Sequence, residues 1–544
     1  MVTRQDDEET PLLQQPIART PLPWDQFWII LFLQFPDSLV FQTLAPFTPQ
    51  LIRDIGVTNG DESQVGHYIG ILQSSYYIAQ ALTILHWSQL SDHIGRKPLI
   101  LTALFAIAVS MFSFGLSKSY VGLVISRVFC GAFNGSNSIV KSMVMDITDT
   151  TNLPKAYGYM PLPWMLGTIV GPLIGGSLSR PADRFPEIFG RSELLKTYPY
   201  LLPCSVPAIL ASVAWLVTFF RIRESISTKV PLWGLIKGLF SQRSDTQLPV
   251  PLNNTLASSG EANSEEVPLK PLSLRASLTP KVLTVTASYV TMAVFYMAFN
   301  SILPLFYATP IELGGLSLDP PHIGAILAVS GVAHGAFQLL FYARLHDRFG
   351  AGAIHTVGVS SGIPIIILFP VINALARVHG MSLTVWLCVA AQHVLTTSLM
   401  MCNPCLVLFI RAAAPNRASL GATNGIIQMV AAGARIIAPA SATSVFSYSI
   451  QEGHDAWLVY YFLMVIAFLA VAYASCASRD LGDSHMLTLK ALELGQGTTV
   501  LPHTLSPLLF LTVFASSDTE RTGTSYTHRH VAPITSLTNC RTKA

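Results

Sequence analysis

Two charged residues stand inside long apolar runs and could do chemistry there. Asp37 follows Pro36 and lies three positions after Gln34 in the run from about residue 27 to 47. A carboxylate removed from bulk water is the kind of group that takes up and releases a proton as its surroundings change, so Asp37 is the candidate for proton coupling. The alternative reading is a residue lining a watery vestibule. Arg127 is a charge within another such run, with Gly131 and Gly135 clearing the same helical face. It is costly in lipid unless it faces protein. A third cluster, Asp92-His93-Ile94-Gly95-Arg96-Lys97, is a polar knot between two apolar runs and cannot sit in hydrocarbon. It must be a tight loop at a membrane face. Asp146, at the end of a later run, could pair with its bases, as could Asp149, and a glycine suits the hairpin because it accepts positive φ. The alternative is a solvated turn. Ten further polar residues inside apolar runs are candidates for a substrate cavity: Asn134, Asn137, Tyr296, Asn300, His334, Gln338, Gln392, His393, Asn424 and Gln428, with Lys141 farther toward the loop side. Amides, aromatics and few charges suit a small amphipathic organic molecule better than a sugar or a bare ion. Hydrogen bonding between helices is the competing role for any one of them.

These residues need membrane-spanning helices to position them. Hydrophobic residues make up 51% of the 544 and charged residues 12%, about half the share usual in soluble domains. Mean hydropathy is +0.48. Crossing about 30 Å of hydrocarbon takes about 20 apolar residues. Twelve runs qualify, at about 27–47, 66–88, 98–117, 121–145, 157–178, 199–220, 283–308, 322–343, 353–372, 383–410, 420–448 and 457–477. The expected organisation is a disordered cytosolic arm (1–22), a six-helix bundle (23–221), a mostly disordered cytosolic loop (222–281), a second six-helix bundle (282–478) and a disordered cytosolic tail (479–544). The arm contains Glu8-Glu9-Thr10-Pro11-Leu12-Leu13, which has the form of an acidic dileucine sorting signal. The loop holds the sequon Asn253-Asn254-Thr255, a glycosylation site only if it faces a secretory lumen. Basic residues are more numerous on the side of the termini, which places both termini inside.

Other classes find no support. A net charge of +3 without basic, aromatic-laced clusters argues against nucleic acid. The nucleotide-binding Gly-x-x-x-x-Gly-Lys-Ser/Thr loop is absent, so ATP is not the expected energy source, and no acid-histidine cluster at a membrane face supports an enzyme. The 14 histidines lack metal-ligand spacing. The 7 cysteines lie mostly in apolar runs, and Cys402-Asn403-Pro404-Cys405 is read as packing despite its redox spacing.

The two halves repeat. Asp92 and Asp347, Gly95 and Gly350, and Ile71-Leu72 and Ile326-Leu327 are each 255 positions apart. A duplicated six-span unit with an acid-plus-glycine loop after its second helix is the mark of a transporter whose substrate path runs between two related bundles.

Three motifs then carry a resemblance. The run Trp87 to Pro98, WSQLSDHIGRKP, resembles the loop signature of the major facilitator superfamily in the form used by drug:proton antiporters and zinc-induced-facilitator-like proteins. RVFCGAFNGSN, from Arg127 to Asn137, resembles the arginine-and-glycine signature of the fourth span. GTIVGPLIGGSL, from Gly167 to Leu178, resembles the antiporter signature of the fifth. Thr309 to Leu316 and Pro320 to Gly324 are similar to fungal members of the zinc-induced-facilitator-like branch, some of which sit beside natural-product biosynthetic genes. The resemblance implies an all-α integral membrane fold, twelve helices in two six-helix bundles with pseudo-two-fold symmetry. It implies that Asp92, Gly95, Arg96 and Asp146 form a latch of the outward-facing state, and that Arg127 takes part in proton coupling with Asp37. Gly167, Gly171, Pro172, Gly175 and Gly176 would form a bend that seals the path against proton leak. Where the family often places a base three residues before its acid, this chain has Gln34. The copies in the second half depart further, with no base after Gly350 and Ala438-Pro439, preceded by Arg435, in place of a glycine-proline pair.

The expectation is a proton-coupled antiporter that exports a small amphipathic organic molecule by alternating access. It needs no cofactor beyond the proton gradient, no metal and no nucleic acid, and works as a monomer in the plasma membrane or, alternatively, the vacuolar membrane. Import or vacuolar transport of a metabolite or metal chelate, and a transport-inactive receptor on the same fold, are the other readings.

Overall fold

A computed structural model describes residues 20–149, 152–222, 278–415 and 420–496. The dileucine-like stretch, the sequon and nearly all of the central loop lie outside the described residues. Met1–Ser484 forms one compact unit; of the second, His485–Ala544, residues 485–496 are described and are helical.

The first half contains α1 (Trp24–Leu44), a short α2 (Thr48–Ile55), α3 (Val65–Ile94), α4 (Arg96–Gly115), α5 (Tyr120–Phe133), α6 (Ser136–Ile147), α7 (Leu153–Tyr159) and α8 (Leu162–Ser177). Three short helical turns between Pro181 and Thr197 lead to α9 (Leu201–Arg221). The second half contains α10 (Pro280–Ala308), α11 (Pro320–Ser360), α12 (Gly362–His379), α13 (Leu383–Met400), α14 (Cys402–Ala413), α15 (Leu420–Ser449) and α16 (Leu458–Gln496). Each of the twelve apolar runs coincides with helix. Among the described residues, eight helical stretches are long and apolar enough to cross a membrane by length and composition alone. One of them, Pro320–His379, takes in two of the expected runs, joined at Gly350. Three runs fall short for local reasons: α3 carries many polar residues, the fourth run is broken between α5 and α6, and the fifth between α7 and α8.

Local chemistry sets several boundaries. The Ser119 hydroxyl accepts from the Gly122 amide at the start of α5, and the Thr279 hydroxyl caps α10 ahead of Pro280, whose missing N–H costs nothing in the first turn. The α3 to α4 turn is made at Gly95 (φ 108°, ψ 160°), and Gly350 takes a matching conformation (φ 75°, ψ 162°). A side chain at either position would be strained, so the duplicated loop repeats in backbone as well as in sequence. Two boundaries differ from expectation. Leu22 is already buried, and α16 continues to Gln496, past residue 478.

Helices pack closely where side chains are missing. α8 lies along α1, and a methyl group at Gly175 would come 1.9 Å from the Thr43 carbonyl oxygen. Two seams join the halves, α3 against α15 and α8 against α11. A methyl on Gly70 would meet Thr443 Oγ1 at 2.2 Å, and one on Gly176 would come 2.5 Å from the Pro320 oxygen. Polar ties between the halves gather at the end that carries α2. Arg53 donates to the Ala308 carbonyl (2.9 Å), Ser301 to Gln73 (2.7 Å), Ser74 to the Ile436 carbonyl (2.7 Å) and the His67 amide to Ser447 (2.8 Å). Arg184 pairs with Asp319 at 3.6 Å.

Candidate functional site

The helix break between α5 and α6 organises the first cluster. Asn134 ends α5 with φ −88° and ψ 73°, outside helical geometry, and this turns its side chain toward α1 and α3. Its amide donates to Asp37 Oδ1 and to Tyr76 Oη (2.6 Å), while Gln80 donates to the Asn134 carbonyl (3.2 Å). Trp87 holds the break from outside: its indole donates to the Ala132 carbonyl (2.6 Å), and its Cβ lies 2.5 Å from where a methyl on Gly135 would stand. Gly135 must therefore be bare.

Arg127 is 3% exposed and lies over the rings of Tyr76 (4.5 Å) and Phe41 (5.3 Å). Its Nη1 has no hydrogen-bond partner among the described residues, and its charge acts on Asp37. A guanidinium resting on ring faces gains cation–π attraction but leaves an N–H unmet, at a cost of about 1–3 kcal/mol. The arrangement brings together Asp37, Arg127 and Asn134, which the sequence singled out, and adds Tyr76, Phe41 and Gln80. Nothing in the pattern distinguished Tyr76 and Phe41, because aromatic residues are ordinary in an apolar run, whereas Gln80 is a polar residue within the 66–88 run and could have been read there. Gln34 turns away from Asp37, donating to the Ile30 carbonyl (3.4 Å) and to Met160 Sδ (3.7 Å).

At the loop after α3, Arg96 Nε lies 2.6 Å from Asp146 Oδ2, linking the start of α4 to the end of α6. Lys97 donates to the Ile222 carbonyl at 2.7 Å. The Asp92 side chain lies outside the described residues, as does that of Asn137. Asp149 contacts Thr20 and Asn152.

Gly167, Gly171, Pro172, Gly175 and Gly176 of the fifth run do not act on one partner. Gly167, Gly171 and Gly175 face Ser38, Gln42 and Thr43 of α1, whereas Gly176 faces Pro320 and Gly324 of α11. Pro172 lies inside α8, which runs unbroken from Leu162 to Ser177.

The second half separates its candidates. His393 sits between Tyr307 Oη, 3.0 Å from Nε2, and Ser330 Oγ at Nδ1; His334 approaches the His393 carbonyl at 3.4 Å. Gln392 is fully buried and donates to the Ile365 carbonyl (3.2 Å), which makes it a tie between α13 and α12 rather than a cavity-lining residue. Asn300 donates to the Tyr296 carbonyl of its own helix (2.9 Å). Gln428 bridges the Tyr289 hydroxyl (3.2 Å) and Arg435 (3.4 Å). Gln338 and Asn424 are half-buried and make no side-chain hydrogen bond among the described residues. Cys402 and Cys405 are buried free thiols bonded to the His355 and Met401 carbonyls. No group of three or more metal-ligating side chains occurs among the described residues.

A bundle of apolar helices with a buried acid, amide and guanidinium at a helix break, joined along glycine-rich seams, defines a membrane transporter rather than an enzyme. The family model for the Major Facilitator Superfamily matches residues 30–439, and the chain belongs to that family. It is 28% identical to the Major facilitator-type transporter psiT2 of Psilocybe cyanescens over 87% of this chain and 93% of that one. It is 28% identical to Protein ZINC INDUCED FACILITATOR 1 of Arabidopsis thaliana over 82% and 89%. The fold matches the crystal structure of a bacterial homolog to the human lysosomal transporter Spinster, with a TM-score of 0.57 and 14% identity over 85% of this chain and 99% of that one.

Proposed function

We propose that this multi-pass membrane transporter is a proton-coupled antiporter that exports a small amphipathic organic molecule. The observation that carries the reading is the contact of Asp37 with Asn134 at the α5–α6 break, beside Arg127 with its unmet N–H. When Asp37 is charged, Arg127 has a reason to leave the Tyr76 and Phe41 rings and pair with it. When Asp37 is protonated, the rings hold the guanidinium. Proton binding thus changes which partners α1, α3 and α5 share, the kind of two-state element that alternating access requires.

The glycine face of α8 against α1 supports exchange: side-chain-free packing leaves little room for water beside the path. With the termini inside, the ties around Arg53 and Asp319 close the outer end of the seam. Arg96 with Asp146 would serve the opposite end, releasing as the helices there move. Work as a monomer in the plasma membrane, driven by the proton gradient alone, completes the reading.

The test uses purified protein in liposomes carrying an internal pH dye, with a metabolite found by comparing export from cells that do and do not make the protein. The expected result is proton movement on addition of that metabolite, abolished by Asp37→Asn while membrane insertion and folding persist. Metabolite flux indifferent to the pH gradient would overturn the reading.

A further inference from the structure

The chain ahead of α1 is fastened to the loop between α6 and α7, and the fastening holds a hydroxyl that the transport cycle leaves unused. Thr20 Oγ1 donates to Asp149 Oδ2 and accepts from Asn152 Nδ2 at 3.1 Å, and the same Asn152 amide reaches the Pro21 carbonyl (3.4 Å). Asp149 and Asn152 also bind each other, each backbone N–H donating to the other's side chain, at 2.9 and 3.1 Å. Leu22 seats the arm in a buried cluster that includes Val140, Val144 and Ala156. One hydroxyl thus closes a clasp between arm and loop. The clasp's carboxylate stands three residues beyond Asp146, the partner of Arg96.

The sequence here is Arg19-Thr20-Pro21-Leu22-Pro23, and residues 20–23 lie outside any helix. A following proline disfavours helical geometry at Thr20 and holds the chain extended, the form in which a protein kinase takes up its substrate. Proline also offers no N–H after the hydroxyl residue, the feature that proline-directed kinases select. Four threonines precede proline among the described residues, and Thr20 alone is exposed. Thr48 and Thr309 are buried, while Thr279 is half-buried and caps α10.

We infer that Thr20 is a phosphorylation site for a proline-directed protein kinase, and that the phosphate opens the clasp on the α6–α7 loop. In the transfer, Thr20 Oγ1 forms a bond to the γ-phosphorus of ATP, the bond from that phosphorus to its bridging oxygen breaks, ADP leaves, and the hydroxyl proton passes to the kinase's base. The product has lost the hydrogen that Asp149 accepts and carries about −1.5 to −2 charges at neutral pH beside that carboxylate. Repulsion replaces a hydrogen bond, and the arm leaves the loop. Because the loop is freed next to the Arg96–Asp146 pair, the modification weakens closure at that end of the path. The inference goes beyond the antiporter reading and shares with it only the placement of the termini inside, where ATP and kinases are found.

The test treats the purified full-length protein with a proline-directed serine/threonine kinase and ATP, locates the phosphate by peptide mass spectrometry, and follows hydrogen exchange of residues 22–27 and 152–156. Phosphate should appear at Thr20 and be absent there in Thr20→Ala and Pro21→Ala. Exchange in both segments should quicken about tenfold on phosphorylation, the effect of losing one hydrogen bond to a charged group. Thr20→Ser should retain both the modification and its effect. Asp149→Asn removes the like charge and leaves an amide to meet the phosphate, so phosphorylation of that variant should change exchange little. The same phosphate should be found when kinase and transporter are produced in one cell. No phosphate at Thr20 in the purified protein, phosphate without faster exchange, or equal acceleration in Asp149→Asn would each overturn the inference. Modification of the purified protein but not of the protein made beside the kinase would put the arm outside the cytosol and overturn it too. Flux indifferent to the pH gradient would sink the antiport mechanism and leave this site standing.

Discussion

Gly176 offers a direct way to move the balance between conformations. It faces α11 across the seam that joins the halves, where an added methyl would stand 2.5 Å from the Pro320 oxygen, 3.0 Å from Gly324 Cα and 3.2 Å from Pro321 Cα. All three neighbours are backbone, so no side chain can rotate away. Restoring ordinary contact near 3.4 Å needs the helices to part by about 1 Å, and overfilling a packed seam of this kind costs about 1–3 kcal/mol. If the seam opens in the alternative state, the penalty falls on the closed one alone. Gly176→Ala should then shift the equilibrium roughly 5- to 150-fold toward the form open at this end. The measurement is the spin-label distance distribution between Lys196 and Glu312, both exposed in short helical turns at that end, with exposed Cys476 replaced beforehand. Gly433→Ala is the control, because nothing among the described residues lies within 4 Å of a methyl there. A long-distance population should grow in the first variant and stay at the wild-type level in the second. Identical distributions in wild type and Gly176→Ala, with equal folded yield, would refute the idea that this seam closes the path.

Further outcomes can be checked singly. Gly95→Ala forces a side chain into φ 108° and should lower the thermal midpoint through a penalty of about 1–3 kcal/mol, with a matching loss at Gly350→Ala. Asn373→Ala removes the donor to the Ile311 and Gly315 carbonyls at 2.9 and 2.8 Å; it should destabilise by about 1–3 kcal/mol in chemical denaturation and loosen the loop before α11 in hydrogen exchange. Hydrogen bonds from Ser63 and Gln64 hold the loop carboxyl of Asp61 below the usual range. Its contribution is therefore present above the ordinary aspartate pKa and lost as pH falls through the lowered one. The Ser63 amide should accordingly exchange faster in strong acid, and Asp61→Asn should remove that dependence.

How much was legible in the sequence depended on whether polarity broke the apolar background. The span pattern, the loop at Gly95 and its copy at Gly350 stood out because an acid and a glycine interrupt long hydrophobic runs. Asp37, Arg127 and Asn134 were conspicuous for the same reason. Which face of each helix points inward was not legible, since lipid and protein interior are both apolar and leave no stripe to read. Hence Tyr76 and Phe41, which cradle Arg127, escaped notice. Gln392 read as a cavity residue although it is sealed against α12, because a buried amide and a water-facing one look alike in sequence. The Arg53 bond to the Ala308 carbonyl was hidden for another reason: a backbone acceptor has no residue type to signal it.

The interruption at Asn134 and Gly135 turns one chain segment into a lever. α6 is a stiff rod of 12 residues, about 18 Å long, that begins two residues after the amide gripping Asp37 and carries near its far end the acid that holds Arg96. A proton arriving in mid-bilayer would loosen the grip at one tip, and the rod would carry that slack to the ion pair at the other. Signal and response would then travel through one short turn and one rigid helix, and lengthening or bending that helix should uncouple them without touching either end.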